Sequence, residues 1–136
     1  MANIDLMNHW VESSDRDFEV MHSLFERNHF TYSLFFGHLL LEKLFKSLFA
    51  KIYTKSPEAP KIHNLVRLAE LCGIELDSEM EAKLLLYNTF NTEARYEDEK
   101  TDFYKLCTKE FTAKQIDSIK ETRKWLKEKL TEESSK

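Results

Sequence analysis

Glycine and proline are nearly missing. The 136 residues hold only Gly37 and Gly73, Pro57 and Pro60. A chain so short of turn formers does not suit many brief strands joined by tight turns; it suits long helices joined by few loops. Strand-like alternation, internal repeats and a domain-boundary linker are also absent. No apolar run reaches the roughly 18 residues that would suggest a membrane span. The start, Met1-Ala2-Asn3-Ile4-Asp5, lacks the basic and apolar regions of a signal peptide, so a cytoplasmic protein without membrane attachment is expected. Cys72 and Cys107 are the only cysteines and lie far apart. No Cys or His pair has zinc-ligand spacing, so no metal site is expected, and each cysteine reads as a small buried hydrophobe. A Gly-rich phosphate loop, a Gly-x-Ser-x-Gly turn and a distinct carboxylate pair are lacking too. No catalytic residues are therefore assigned, and function is expected to rest on binding more than on catalysis.

What is present is apolar and charged: 42% of residues are hydrophobic and 32% are Asp, Glu, Lys or Arg. That composition describes a globular chain, and the length suits a single domain over residues 1–136, ordered from about 4 to 130. The formal charge of −4 hides a segregation. Residues 43–67 carry Lys43, Lys46, Lys51, Lys55, Lys61 and Arg67 against Glu58 alone. Residues 70–102 carry a large acidic excess against Lys83, Arg95 and Lys100. These are either solvated faces or a local anion site on an acidic protein without a broad nucleic-acid footprint.

Apolar residues recur at steps of three and four from Ile4 through Met7, Val11, Phe18 and Met21 to Phe25, which predicts a first helix over 4–27 that stops at Asn28. Residues 30–53 predict a second helix, apolar on more than one face, from Phe30 to Ile52. Apolar surface in such excess usually meets another copy of the chain, so a homodimer through this helix is expected. A loop over 54–62 holds both prolines. A short helix follows from about His63 to Cys72, closed by Gly73. Ser78 and Glu81 have capping-box spacing and open a fourth helix that fades near Phe90. Residues 91–102 read as a loop, residues 103–110 as a helical turn, and Thr112 with Gln115 as the cap of a last helix over 113–130. The fold class is all-α: an up-and-down bundle of four main helices plus a short one.

Candidate binding residues fall in two places. Glu42, Lys43 and Lys46 lie within one turn of each other, and Glu42 can pair with Lys46 at i,i+4. The patch is either the wet edge of an apolar helix or a pair of lysines holding a phosphate. Arg95 and Tyr96 lie past the fourth helix in an acidic loop. The arginine can grip phosphate or carboxylate in bidentate fashion or pair with a neighbouring acid, and the tyrosine can stack on a base. His63 reads as a capping residue of the short helix, and His38, among leucines, as a buried neutral histidine.

Taken together, these stretches resemble the HEPN domain family (higher eukaryotes and prokaryotes nucleotide-binding). The likeness runs from Trp10 to Leu130. It rests on Ser14-Asp15-Arg16-Asp17-Phe18, on residues 37–46 with their Glu-Lys-x-x-Lys patch, on Lys61-Ile62-His63-Asn64-Leu65, and on Ala94-Arg95-Tyr96. The last resembles the Arg-Tyr element of the branch that includes the carboxy-terminal domain of sacsin. The resemblance implies a helical bundle that dimerises. It implies binding of a nucleotide such as ATP or GTP, or service as helper subunit to a minimal nucleotidyltransferase. It also nominates Lys43, Lys46 and Arg95 as phosphate contacts, with Tyr96 and His63 beside them. Another branch contains toxin-type ribonucleases with an Arg-x4–6-His motif. No histidine follows Arg95. Arg16 and His22 have the spacing but sit in the first helix, roughly 120° apart around its axis, so ribonuclease activity is not expected. Glu97 stands where the Arg-Tyr element is usually followed by proline.

Overall fold

The computed structural model describes residues 3–55, 58–95 and 102–132. Six helices carry it: α1 (Ile4–Glu26), α2 (Phe30–Ile52), α3 (Leu65–Leu71), α4 (Ser78–Arg95), α5 (Asp102–Leu106) and α6 (Lys109–Thr131). No strand occurs among the described residues. Four long helices form the bundle, and α3 and α5 are short connectors, α5 falling where the sequence suggested a helical turn over 103–110.

Two left-handed residues turn the chain. Asn28 has φ 66°, a conformation that asparagine tolerates better than most residues. It lets the amides of Asn28 and His29 bond back to the carbonyls of Phe25 and Leu24, at 3.0 and 2.8 Å, which satisfies the open end of α1. Gly73, at φ 73°, does the same after α3, where Gly73 and Ile74 bond to Glu70 and Ala69.

α2 is the centre. It packs most extensively on α1, then on α6, α4 and α3, and fourteen of its 23 residues are buried. Most of the apolar excess that suggested a second copy is therefore covered within one protomer. Besides Ile52 at its end, α2 leaves a stripe of Tyr32, Phe35, Phe36 and Leu39, exposed or half-buried, at i, i+3, i+4 and i+7 on one face. The α1–α2 seam is close because its polar residues are small. Hydroxyls of Ser14, Ser33 and Ser47 donate to the carbonyls of Leu40, Met21 and Met7 at 2.8–3.0 Å. At Gly37 a Cβ would stand 2.6 Å from Ile119 Cδ1 and 3.3 Å from Met21 Sδ, so only glycine fits without a shift.

Several boundaries differ from the sequence reading. Asn64, not His63, caps α3: its Oδ1 accepts from the amides of Val66 and Arg67. Asp77, not Ser78, caps α4, accepting from the Met80 amide at 2.7 Å. Thr108 caps α6 through the Phe111 amide, and Thr112 is buried a turn inside the helix. α4 continues past Phe90 to Arg95. In its polar second half the hydroxyls of Thr89 and Thr92 bond back to the carbonyls of Leu86 and Asn88, while Asn91 turns inward and is buried. Leu84 and Tyr87 face the core from α4, whereas Leu85 is 51% exposed.

Candidate functional site

At the middle of α2 a polar stripe runs through the apolar interior: His38, Glu42 and Lys46, each one helical turn from the next. All three are buried, at 0, 4 and 7% exposure. Glu42 is the hub. Its carboxylate accepts from Lys46 Nζ at 2.9 Å and from His63 Nδ1 at 3.1–3.2 Å. The patch is thus an interior ion pair with an added histidine, not the wet edge of the helix. Lys46 also lies over the Trp10 indole, 5.3 Å from its centroid. A buried carboxylate is tolerable only with such partners.

Hydrogen-bond chemistry fixes the histidine protons. His38 Nε2 is 2.9 Å from the carbonyl oxygen of His63, which only accepts, so Nε2 carries the proton. Its bare Nδ1 then accepts from Asn91 Nδ2 at 3.3 Å. Burial pushes the proton affinity of His38 down, against the opposing pull of Glu42, whose Oε1 lies 3.7 Å away. His63 donates Nδ1–H to Glu42, which leaves its Nε2 on the far side of a ring whose side chain is 59% exposed.

That ring lines a notch of about 190 Å³ with Asn64, Asn88, Asn91 and Thr92. One helix, α4, and the loop before α3 line it. Asn88 Oδ1 accepts from the Leu65 amide at 2.9 Å, and its Nδ2 donates to Asn64 Oδ1 at 3.1 Å, clasping the start of α3 to α4. The chemistry on offer is a carboxylate-oriented imidazole surrounded by amide and hydroxyl groups.

The nominated residues are not all brought to this place. His63 and Lys46 meet at Glu42. Lys43 turns to α1, where its ammonium donates to Ser13 Oγ at 2.7 Å and lies 2.7 Å from the buried Asp17 carboxylate. Arg95 closes α4 rather than following it, one turn beyond Asn91. Tyr96 lies outside the described residues. Arg16 and His22 are on α1, where His22 packs edge-on against Phe18 at 4.7 Å. Burial, and then the nearby Lys120 charge, hold His22 low. Asn64, Asn88, Asn91 and Trp10 were not picked out from the sequence. Their one visible signal was the i+3 spacing of Asn88 and Asn91 in a segment read as fading. Among the described residues no cluster of three His, Cys, Asp or Glu side chains could hold a metal ion, and no helix is long and apolar enough to cross a membrane.

A family model described as HEPN domain matches residues 7–130 of the chain. Searches of curated proteins and of solved structures return no match.

Proposed function

The chain belongs to the HEPN domain family, and on that premise we propose that it is a non-catalytic nucleotide-binding domain acting as a homodimer. The observation that carries this reading is the notch at His63, where a carboxylate-held imidazole stands with amide side chains beside the last turns of α4. In this proposal Arg95, one turn past Asn91, and Tyr96 after it supply the phosphate grip and the aromatic neighbour, as in the Arg-Tyr branch of the family. Lys46 and Lys43 are secondary contacts. Each is already neutralised, by Glu42 and Asp17 respectively, so a bound phosphate would have to draw it from its partner. Isothermal titration with ATP, GTP and AMP tests the reading. Heat of binding that Arg95→Ala abolishes is the expected result, and no heat with any of the three at high protein concentration removes it.

The homodimer is assigned to the partly exposed stripe of Tyr32, Phe35, Phe36 and Leu39. Light scattering should report twice the protomer mass, and Phe36→Asp should halve it.

One observation favours a second reading, an interaction module without a nucleotide. Both lysines of the Glu-Lys-x-x-Lys patch are committed to internal carboxylates. In that case the chain is a helper subunit, and a minimal nucleotidyltransferase is the partner the family suggests. Co-purification of one stoichiometric protein free of nucleotide would support it. A toxin-type ribonuclease would require RNA degradation that is lost in His22→Ala.

A further inference from the structure

At the other end of α4 the bundle has an open groove of about 1050 Å³. It is bounded by the last turn of α2, the loop between α3 and α4, and the end of α6. Met80, on its floor, is eleven residues from Asn91, roughly 16 Å along the helix axis, so the groove is separate from the notch at His63. Its floor is apolar: Leu48, Ile74, Leu76, Met80 and Trp125. Ile52, at its edge, is 46% exposed.

The rim has a sign. Glu75, Asp77 and Glu132 line it against Lys51 and Lys129, and both cations are engaged. The Lys51 ammonium donates to the backbone carbonyls of Lys129, at 2.8 Å, and of Glu132, where it offsets the negative end of α6. The Lys129 ammonium lies 5.0 Å from the centre of the Trp125 ring. Among the described residues neither Glu75 nor Glu132 forms an ion pair. Nearby Glu81, exposed in the first turn of α4, adds negative charge, while Glu79 beside it is paired with Lys83 at 3.8 Å.

We propose that this groove docks a basic amphipathic helix of a partner protein. Its volume is at the upper end for small-molecule sites, and its mouth is open, which suits a polypeptide segment. Apolar side chains at i, i+3 or i+4, and i+7 of the incoming helix would rest on Trp125, Met80 and Leu76. Its lysines or arginines would meet Glu75 and Glu132. With three acids against two lysines, the rim favours a cationic partner over an anionic one. The inference does not depend on nucleotide binding at His63.

The test uses the full chain and a fluorescein-labelled Leu/Lys amphipathic peptide of about four helical turns, with its Leu/Glu counterpart, read by fluorescence anisotropy. The Leu/Lys peptide should bind and the Leu/Glu peptide should not. Ile52→Asp and the pair Glu75→Lys with Glu132→Lys, all at exposed positions, should each weaken binding about tenfold or more. Glu110→Lys with Glu121→Lys, on the exposed side of α6, should leave it unchanged. Equal binding of both peptides, or indifference to the groove substitutions, would overturn the proposal. So would self-association that Ile52→Asp abolishes, because the occupant would then be a second copy.

Discussion

The two ends of α4 solve opposite problems. Near Asn91 the interior holds an ion pair and a neutral histidine, and each is answered: Glu42 by Lys46 and His63, His38 by a carbonyl and an amide. Near Met80 an apolar floor stays open beneath a charged rim with more acids than bases. The difference lies in what each region does without a ligand. The buried charges of the first are paired within the chain, so changes to Glu42 or Lys46 should register as stability. The second has surface in reserve, so changes there should register as binding.

The largest expected effect is at Glu42. Glu42→Ala leaves Lys46 buried without its counter-charge and should cost about 3–5 kcal/mol in urea unfolding. Replacing both, Glu42→Leu with Lys46→Met, should recover most of that. A cost below about 1 kcal/mol for the single change would mean the carboxylate is not the hub.

Gly37 comes next. Gly37→Ala drives a methyl into Ile119 and should cost about 1–3 kcal/mol, less the gain in helix propensity. Adding Ile119→Val removes the atom it meets and should return part of the loss. An alanine as stable as the parent would show that the contact between α2 and α6 has slack.

Acid is a third probe of the closed region. His38 is buried and its affinity for a proton lies below the ordinary value of 6.5. The unfolded chain then binds more protons than the folded one as pH falls below about 6.5, so stability is lost in that direction and held above it. His22 acts with the same sign. Thermal midpoints should fall between pH 7.5 and 5.5, and His38→Gln should fall less, because its interior no longer titrates. A midpoint unchanged over that interval would contradict the buried neutral histidine. The smallest effect belongs to the open region. Ile52→Asp should change unfolding free energy by no more than about 0.5 kcal/mol, while still weakening peptide binding.

The bundle was legible in the sequence because apolar spacing reports burial directly. α1 and α2 fall within one residue of their predicted ends, and Asn28 and Gly73 mark real left-handed turns. Caps were less legible. Asp77 and Ser78 are both good helix starters, and only geometry shows that Asp77 takes the Met80 amide. The end of α4 was missed because Asn91, Thr92 and Glu93 read as loop. Asn91 is helical because it answers His38, 53 residues away in sequence. The candidate site was half visible for the same reason. The i,i+4 pairing of Glu42 and Lys46 could be read locally, but their burial depends on Trp10, His63 and the helices that enclose α2. Lys43 looked equivalent to Lys46 on paper, yet a step of three residues turns it to Asp17 on another helix.

The proposed nucleotide site lies where the loop before α3 meets the last turns of α4. Amide NMR titration with ATP tests that most directly. Shifts should gather at His63, Asn64, Asn88, Thr92 and Arg95 and leave the loop from Ile74 to Asp77 unmoved. No shifts at high ATP concentration, or shifts confined to that loop, would contradict it.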